Sequence, residues 1–186
     1  LKIWVQDRLT ALVMRKCDVL ISMSGDFVVS LHKAKKKGAT IIVERGSKHI
    51  LEQKRVLESI PSNRGKEPVP KANVKRELEC YQLADFISIA SIHVKRSFLL
   101  HKYPENKLFV NPYGVSLSQF SQLNVPKTYD VINVGSWSYQ KGSDLILPAI
   151  RQLGVQFLHV GSLVDVPFEE DEFCHHVDAV DQTALP

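Results

Sequence analysis

The feature that most constrains this chain is the recurrence of short apolar, often β-branched runs, each followed by apolar positions at helical spacing. Asp18-Val-Leu-Ile-Ser22 leads through Met23-Ser-Gly-Asp26 to Phe27, Val28, Leu31 and Ala34, closing on Gly38. Ala39-Thr-Ile-Ile-Val43 leads to Ile50, Leu51, Lys54 and Leu57, which Pro61 stops. Phe86-Ile-Ser-Ile-Ala90 ends at Ser91, a residue suited to cap a helix through Val94, Phe98 and Leu99. Strands alternating with helices predict an α/β fold whose parallel sheet is covered on both sides.

Between these units, residues 59–72 hold three prolines, a glycine and several charges with no apolar period, and are expected to form an exposed loop. A helix resumes near Asn73 and carries Val74, Leu78 and Tyr81 on one face. Residues 116–129 are polar and turn-rich, and Val131-Ile-Asn-Val134 then opens a second strand–helix series. The expected organisation is a first domain over 1–116, a linker over 117–128 and a second domain over 129–186. In the second series Leu145, Ile146, Ala149, Ile150 and Leu153 share a helix face, where Pro148 forfeits one backbone hydrogen bond. Val155 to Val160 give a further strand ending in Gly161, and Val166 to Glu172 an acidic loop.

No apolar run approaches the ~20 residues of a membrane span, and the opening LKIWVQDRL lacks the layout of a signal peptide. Hydrophobic residues make up 44% and charged residues 24%, enough for a buried core in an ordinary globular chain. The first residue is Leu1 rather than Met, and the second sheet is unfinished at Pro186, so the expectation is a piece of a longer protein. Cys17, Cys80 and Cys174 are odd in number and scattered, which favours a reducing, cytoplasmic setting over a disulfide framework or a zinc site.

Charge is divided unevenly. Residues 1–76 carry 17 Lys+Arg against 7 Asp+Glu, net +10, and residues 77–186 carry 7 against 13, net −6. The run Lys33 to Lys37 is either the solvated end of a helix or a patch that docks on anionic lipid or an anionic acceptor, which admits peripheral membrane association. Its basic residues are not interleaved with aromatics that stack bases, which argues against nucleic acid.

The stretch Asp130 to Ile150, DVINVGSWSYQKGSDLILPAI, has the layout of a phosphate-handling turn. A strand ending in Gly135 and running into a helix offers backbone N–H groups and a helix N-terminus, and Lys141 adds a full positive charge. The local pattern also admits a surface lysine beside a turn glycine. Cys174-His175-His176, with Asp178 nearby, invites a metal reading, but adjacent strand residues point to opposite faces, so no metal site is expected.

Taken with VQFLHVG and the earlier ADFISIASIHVKRSF and KLFVNPYGVSLSQF, that stretch resembles the large family of retaining GT-B glycosyltransferases that use nucleotide sugars. The resemblance covers most of residues 17–186. It implies two Rossmann-like domains with parallel sheets, both incomplete in this chain, a donor held by the second domain and an acceptor by the first. It places Gly135 where the donor phosphates meet the backbone and Lys141 on the diphosphate leaving group. Ser136 stands where the family commonly has an arginine. Gly161 is placed to let the nucleotide lie against the backbone, and a plain turn glycine would read the same.

On the acceptor side the resemblance points to Arg45 and His49, close to the donor sugar and the reacting carbon. Arg45 is nearer the family's histidine position, and His49 is as readily the start of a helix. Gly25, in Ser24-Gly25-Asp26, is either acceptor-pocket backbone or a tight turn. Asn111-Pro-Tyr-Gly-Val115 resembles the family's junction loop, with Ser116 at the usual aspartate and Phe120 matching. The implied activity is transfer of a sugar from a UDP- or GDP-sugar to a saccharide or lipid-linked acceptor with retention, using no cofactor; because the family's N-terminal glycine-rich loop and C-terminal glutamate pair are not in this chain, the piece alone is expected to be inactive. A sugar-nucleotide epimerase or hydrolase of the same fold, and a non-catalytic binding module, are the alternatives.

Overall fold

The computed structural model describes residues 2–118, 120 and 126–185, and the chain separates into two compact units, Leu1–Tyr113 and Gly114–Pro186. Part of the expected linker, at 119 and 121–125, lies outside the described residues.

The first unit runs α1 (Lys2–Val13), β1 (Val19–Met23), α2 (Val28–Lys36), β2 (Thr40–Arg45), α3 (Ile50–Glu58), α4 (Lys71–Leu83), β3 (Phe86–Ile89), α5 (Ile92–Leu100) and β4 (Leu108–Val110). Its four strands are parallel in the order β1-β2-β3-β4. Ser91 caps α5 as expected, its Oγ accepting the Val94 N–H at 3.2 Å.

The expectation of a sheet covered on both sides needs correction for this unit. Right-handed crossovers that always step in one direction put every helix on the same face. The register shows the outcome: Ile41, Val43, Ile87 and Ile89 point to the helix-covered face and are completely buried. Val19, Ile21, Met23, Phe86 and Phe109 share the other face and are 40–59% exposed. On the covered face Leu31 of α2 and Phe98 of α5 are also fully buried, each contributing about 1.5–3 kcal/mol.

α1 has no amphipathic period, and Ile3, Trp4, Val5, Leu9, Leu12 and Val13 on it stay exposed. What holds it is Asp7, completely buried, whose carboxylate accepts the Val29 and Ser30 N–H groups at 2.9 and 3.0 Å. Phe27, at the cap position of α2, has no side-chain acceptor, so Asp7 does that work from another helix.

The lysine run serves a related purpose. Lys33 Nζ donates to the Ala11 and Leu12 carbonyls, Lys37 Nζ to Met14 O, and Lys35 Nζ to Leu83 O and the Asp85 carboxylate. Three of its lysines therefore satisfy carbonyls at or just beyond the C-terminal ends of α1 and α4, where the helix dipole is negative. The loop over residues 59–72 is also more anchored than its composition suggests, because Val69 is 5% exposed and packs in the core.

The second unit contains β5 (Val131–Val134), α6 (Ser143–Leu153), β6 (Phe157–Val160) and β7 (Cys174–Val177), with the strands parallel in that order. Pro148 occupies an exposed position and does not end α6. Again one face is packed and one open. Phe157, His159 and Cys174 are completely buried on the first, while Ile132, Val134 and Val177 on the other are 44–58% exposed. Trp137, in the loop after β5, is fully buried and fills the space beside Phe157 and Phe168, its Nε1 donating to Pro167 O at 3.3 Å.

Candidate functional site

In the first unit the loop after β1, the end of β2 and the starts of α1, α3 and α4 surround a cavity of about 450 Å³. It brings together Gly25 and Arg45, two of the three residues expected on the acceptor side. Arg45 is nearly buried, and its guanidinium is fully engaged. Nη1 meets Glu77 Oε1 at 2.6 Å and Ser24 Oγ at 3.3 Å, Nη2 donates to Gln53 Oε1 at 2.6 Å, and both Nε and Nη2 bond Lys48 O. Arg76 is likewise committed, donating to the Gly25 and Asp26 carbonyls at 2.7 and 2.6 Å.

Glu77 is the residue that sequence reasoning missed. Its Oε1 holds Arg45, while Oε2 is buried with no hydrogen-bond partner among the described residues. Gly25, at φ 82°, packs so closely that a Cβ there would lie 3.1 Å from Glu77 Oε1. A signal existed: Glu77 falls between Val74, Leu78 and Tyr81 on the apolar stripe of α4, where a charge is out of place unless paired. The rest of the lining is mixed, with Trp4 and Val69 apolar and Asp26 and Asn73 polar.

His49 does not join that cavity. It is 4% exposed, caps α3 through Nδ1, which accepts the Leu51 N–H at 3.3 Å, and stacks on His101 at 4.4 Å. Phe98 and Tyr81 close the cluster at 5.0 and 5.1 Å. Burial, then the positive fields of His101 and Arg45, push its pKa down to about 4, so the ring is neutral at ordinary pH. It is thus a helix start, as one reading had it, but a buried one. Nearby, burial raises the Cys80 thiol to about 11, and its Sγ accepts the Gly25 N–H at 3.3 Å.

In the second unit three of the expected donor residues, Gly135, Ser136 and Lys141, lie on the connection from β5 to α6, and Gly161 follows β6. β5 ends at Val134, and Gly135, exposed at φ 140°, is followed by exposed Ser136, buried Trp137 and Ser138, a short 3-10 turn over Tyr139–Lys141 and Gly142. Lys141 is exposed two residues before α6 begins at Ser143. Most N–H groups of this turn already have internal acceptors: Gly135 N bonds Val160 O, Trp137 N bonds Ser162 O, Ser138 N bonds Ser143 Oγ and Tyr139 N bonds Asp165 Oδ1. Those of Ser136, Gln140 and Asp144 have none among the described residues. The backbone left free to meet a ligand is therefore narrower than the whole turn.

Gly161 packs against the turn that follows β5. A Cβ there would sit 2.0 Å from the Gly135 carbonyl oxygen, so its bareness makes room for the adjacent turn. The same oxygen lies 2.8 Å from His159 Nε2. His175 and His176 do point to opposite faces of the sheet. His175 meets Tyr129 edge-on at 5.8 Å, and His176 stacks on His159 at 5.0 Å.

No family model matches the sequence, and no curated protein matches it. Among solved structures, HepE of Anabaena in complex with UDP aligns with a TM-score of 0.53 at 14% identity, covering 88% of this chain and 44% of that one. The UDP-N-acetylglucosamine 2-epimerases of Rickettsia bellii and Methanocaldococcus jannaschii give TM-scores of 0.46 and 0.45 at 11% and 12% identity, each over 98% of this chain. The chain spans 51% and 56% of those two enzymes, so it corresponds to about half the length of each structure it resembles. The likeness to HepE is one of fold, and it matches the α/β, parallel-sheet, Rossmann-like units of the GT-B architecture.

Proposed function

We propose that the protein acts on nucleotide sugars as a GT-B glycosyltransferase, moving a sugar from a UDP- or GDP-sugar to a saccharide or lipid-linked acceptor with retention of configuration. One observation carries the reading. The turn from Gly135 to Lys141 leaves a cation and the uncommitted backbone N–H groups of Ser136 and Gln140 exposed at the C-terminal end of a parallel strand, where α/β sheets bind ligands. The fold likeness to HepE, whose structure holds UDP, supports the choice of ligand.

In this reading Lys141 and the Ser136 N–H stabilise the departing diphosphate as its charge develops. With Ser136 in place of an arginine, one charge-assisted contact is absent, about 1.5–3 kcal/mol of phosphate binding. The cavity around Gly25, Arg45 and Glu77 takes the acceptor. Its two arginines are already paired or bonded to carbonyls, so it suits hydroxyl donors rather than an anion. His49 acts by fixing α3 instead of touching substrate.

Calorimetry with UDP and GDP tests the donor side. The expected result is binding of one of them that Lys141→Ala weakens about tenfold. Absence of binding, or indifference to that change, overturns the assignment. Product analysis of a UDP- or GDP-sugar incubated without acceptor separates transfer from epimerisation or hydrolysis.

A further inference from the structure

His159 stands in the middle of an otherwise apolar strand and is completely buried. Its Nε2 is 2.8 Å from the Gly135 carbonyl oxygen, and its Nδ1 is 2.9 Å from His176 Nδ1. A carbonyl oxygen only accepts, so Nε2 carries the proton. A neutral imidazole has a single N–H, which makes His159 Nδ1 an acceptor and His176 Nδ1 the donor. His176 Nε2 lies 3.5 Å from Asp178 Oδ1. The other carboxylate at the pair is Glu170, whose Oε1 accepts the His176 backbone N–H at 2.8 Å. Trp137 and Phe168 close the remaining sides, with rings 4.9 and 5.8 Å from that of His159. A proton on His159 Nδ1 would set N–H against N–H and break the contact.

The consequence passes through one peptide plane. The carbonyl of Gly135 and the N–H of Ser136 belong to the same trans peptide and point in opposite directions. With the oxygen drawn inward to His159 and accommodated by the missing Cβ of Gly161, the Ser136 N–H faces outward, and it has no internal acceptor among the described residues. Gly135, at φ 140°, has little preference of its own to keep that plane fixed.

We infer that His159, held in its Nε2–H form by His176, is a positioning residue that aims the Ser136 N–H at a bound diphosphate. The role rests on the reading of this turn as the diphosphate site. His159 touches no ligand in it.

Long-range proton–nitrogen spectra of the imidazoles, taken on the wild-type protein near neutral pH, should give the Nε2–H form for His159, with a proton on Nδ1 of His176. Titration with UDP should shift the Ser136 amide resonance. His159→Ala should weaken UDP binding about tenfold, whereas His159→Gln, whose amide can still donate to Gly135, should stay within about threefold of wild type. An Nδ1–H form for His159 overturns the inference without any ligand experiment. Binding that is sensitive to Lys141→Ala but unchanged by His159→Ala, in a variant with native circular dichroism, overturns the His159 role alone. No UDP binding by the wild type overturns the diphosphate reading and this role with it.

Discussion

Replacing Gly161 by alanine tests the interlocked turns of the second unit. The new Cβ would start 2.0 Å from the Gly135 oxygen and 2.7 Å from its carbon, whereas side chains rarely approach closer than 3.0 Å. The carbonyl must therefore retreat by about 1 Å, which takes it out of hydrogen-bond reach of His159 Nε2, now at 2.8 Å. Leaving that buried donor unpaired costs about 1–3 kcal/mol. Holding alanine at φ 147° costs about another 1–3 kcal/mol. A total of about 2–6 kcal/mol is a large part of the stability of a small domain. Gly154→Ala is the control, since at Gly154, φ 62°, a new methyl group would meet nothing within 4 Å and incurs only the left-handed cost, about 1–2 kcal/mol. The chain has 2 tryptophans, so in a Trp4→Phe background urea unfolding followed by fluorescence reports on buried Trp137 and hence on this unit. If Gly161→Ala is no more costly than Gly154→Ala, the interlock contributes nothing and the reasoning fails.

Three further outcomes follow from the first unit. Arg45→Met strands the Glu77 carboxylate, whose side chain is 9% exposed, and should destabilise by about 3–5 kcal/mol in urea, with Glu77→Leu in the same chain restoring most of the loss. The His49 pKa is lower folded than unfolded, so as pH falls from about 6.5 toward about 4 the unfolded chain takes up the proton first and stability drops. Urea midpoints for His49→Gln should be flatter than wild type across that window, and equal slopes would show that His49 is not the group responsible. Lys33→Met and Lys37→Met should each lower stability by about 0.3–1 kcal/mol, an effect that shrinks in high salt, as read by thermal melting.

The alternation of strands and helices was legible because period-two and 3.6-residue patterns are local properties. The strand at Val19–Met23 lies one residue along from the apolar run Asp18–Ser22, and the helix expected near Asn73 begins at Lys71. Which face the helices cover was not legible, since it depends on the direction in which successive strands are added. The cavity was half legible. Gly25 and Arg45 follow strands and could be named, but Glu77 and Arg76 arrive on α4, some thirty residues beyond Arg45, and only the fold joins them. Nor could spacing reveal that Gly161 and His159 serve Gly135. That relation arises because β5 and β6 are neighbours, with Asn133 beside His159 and Val134 beside Val160.

The one-directional strand order also governs how the chain assembles. Each strand pairs with its predecessor, so the register partners Val19 and Thr40, Ile87 and Leu108, Val131 and Phe157, and Phe157 and Cys174 are only 21, 21, 26 and 17 residues apart. Among the described strands, pairing can follow chain order as synthesis proceeds, with none of them threaded late between two others. The exception is the step from Ile42 to Phe86, 44 residues, which costs about 0.6 kcal/mol more in closure entropy than its neighbours. That gap holds α3, α4 and anchored Val69, so the segment that walls the cavity is also where addition of the next strand waits longest.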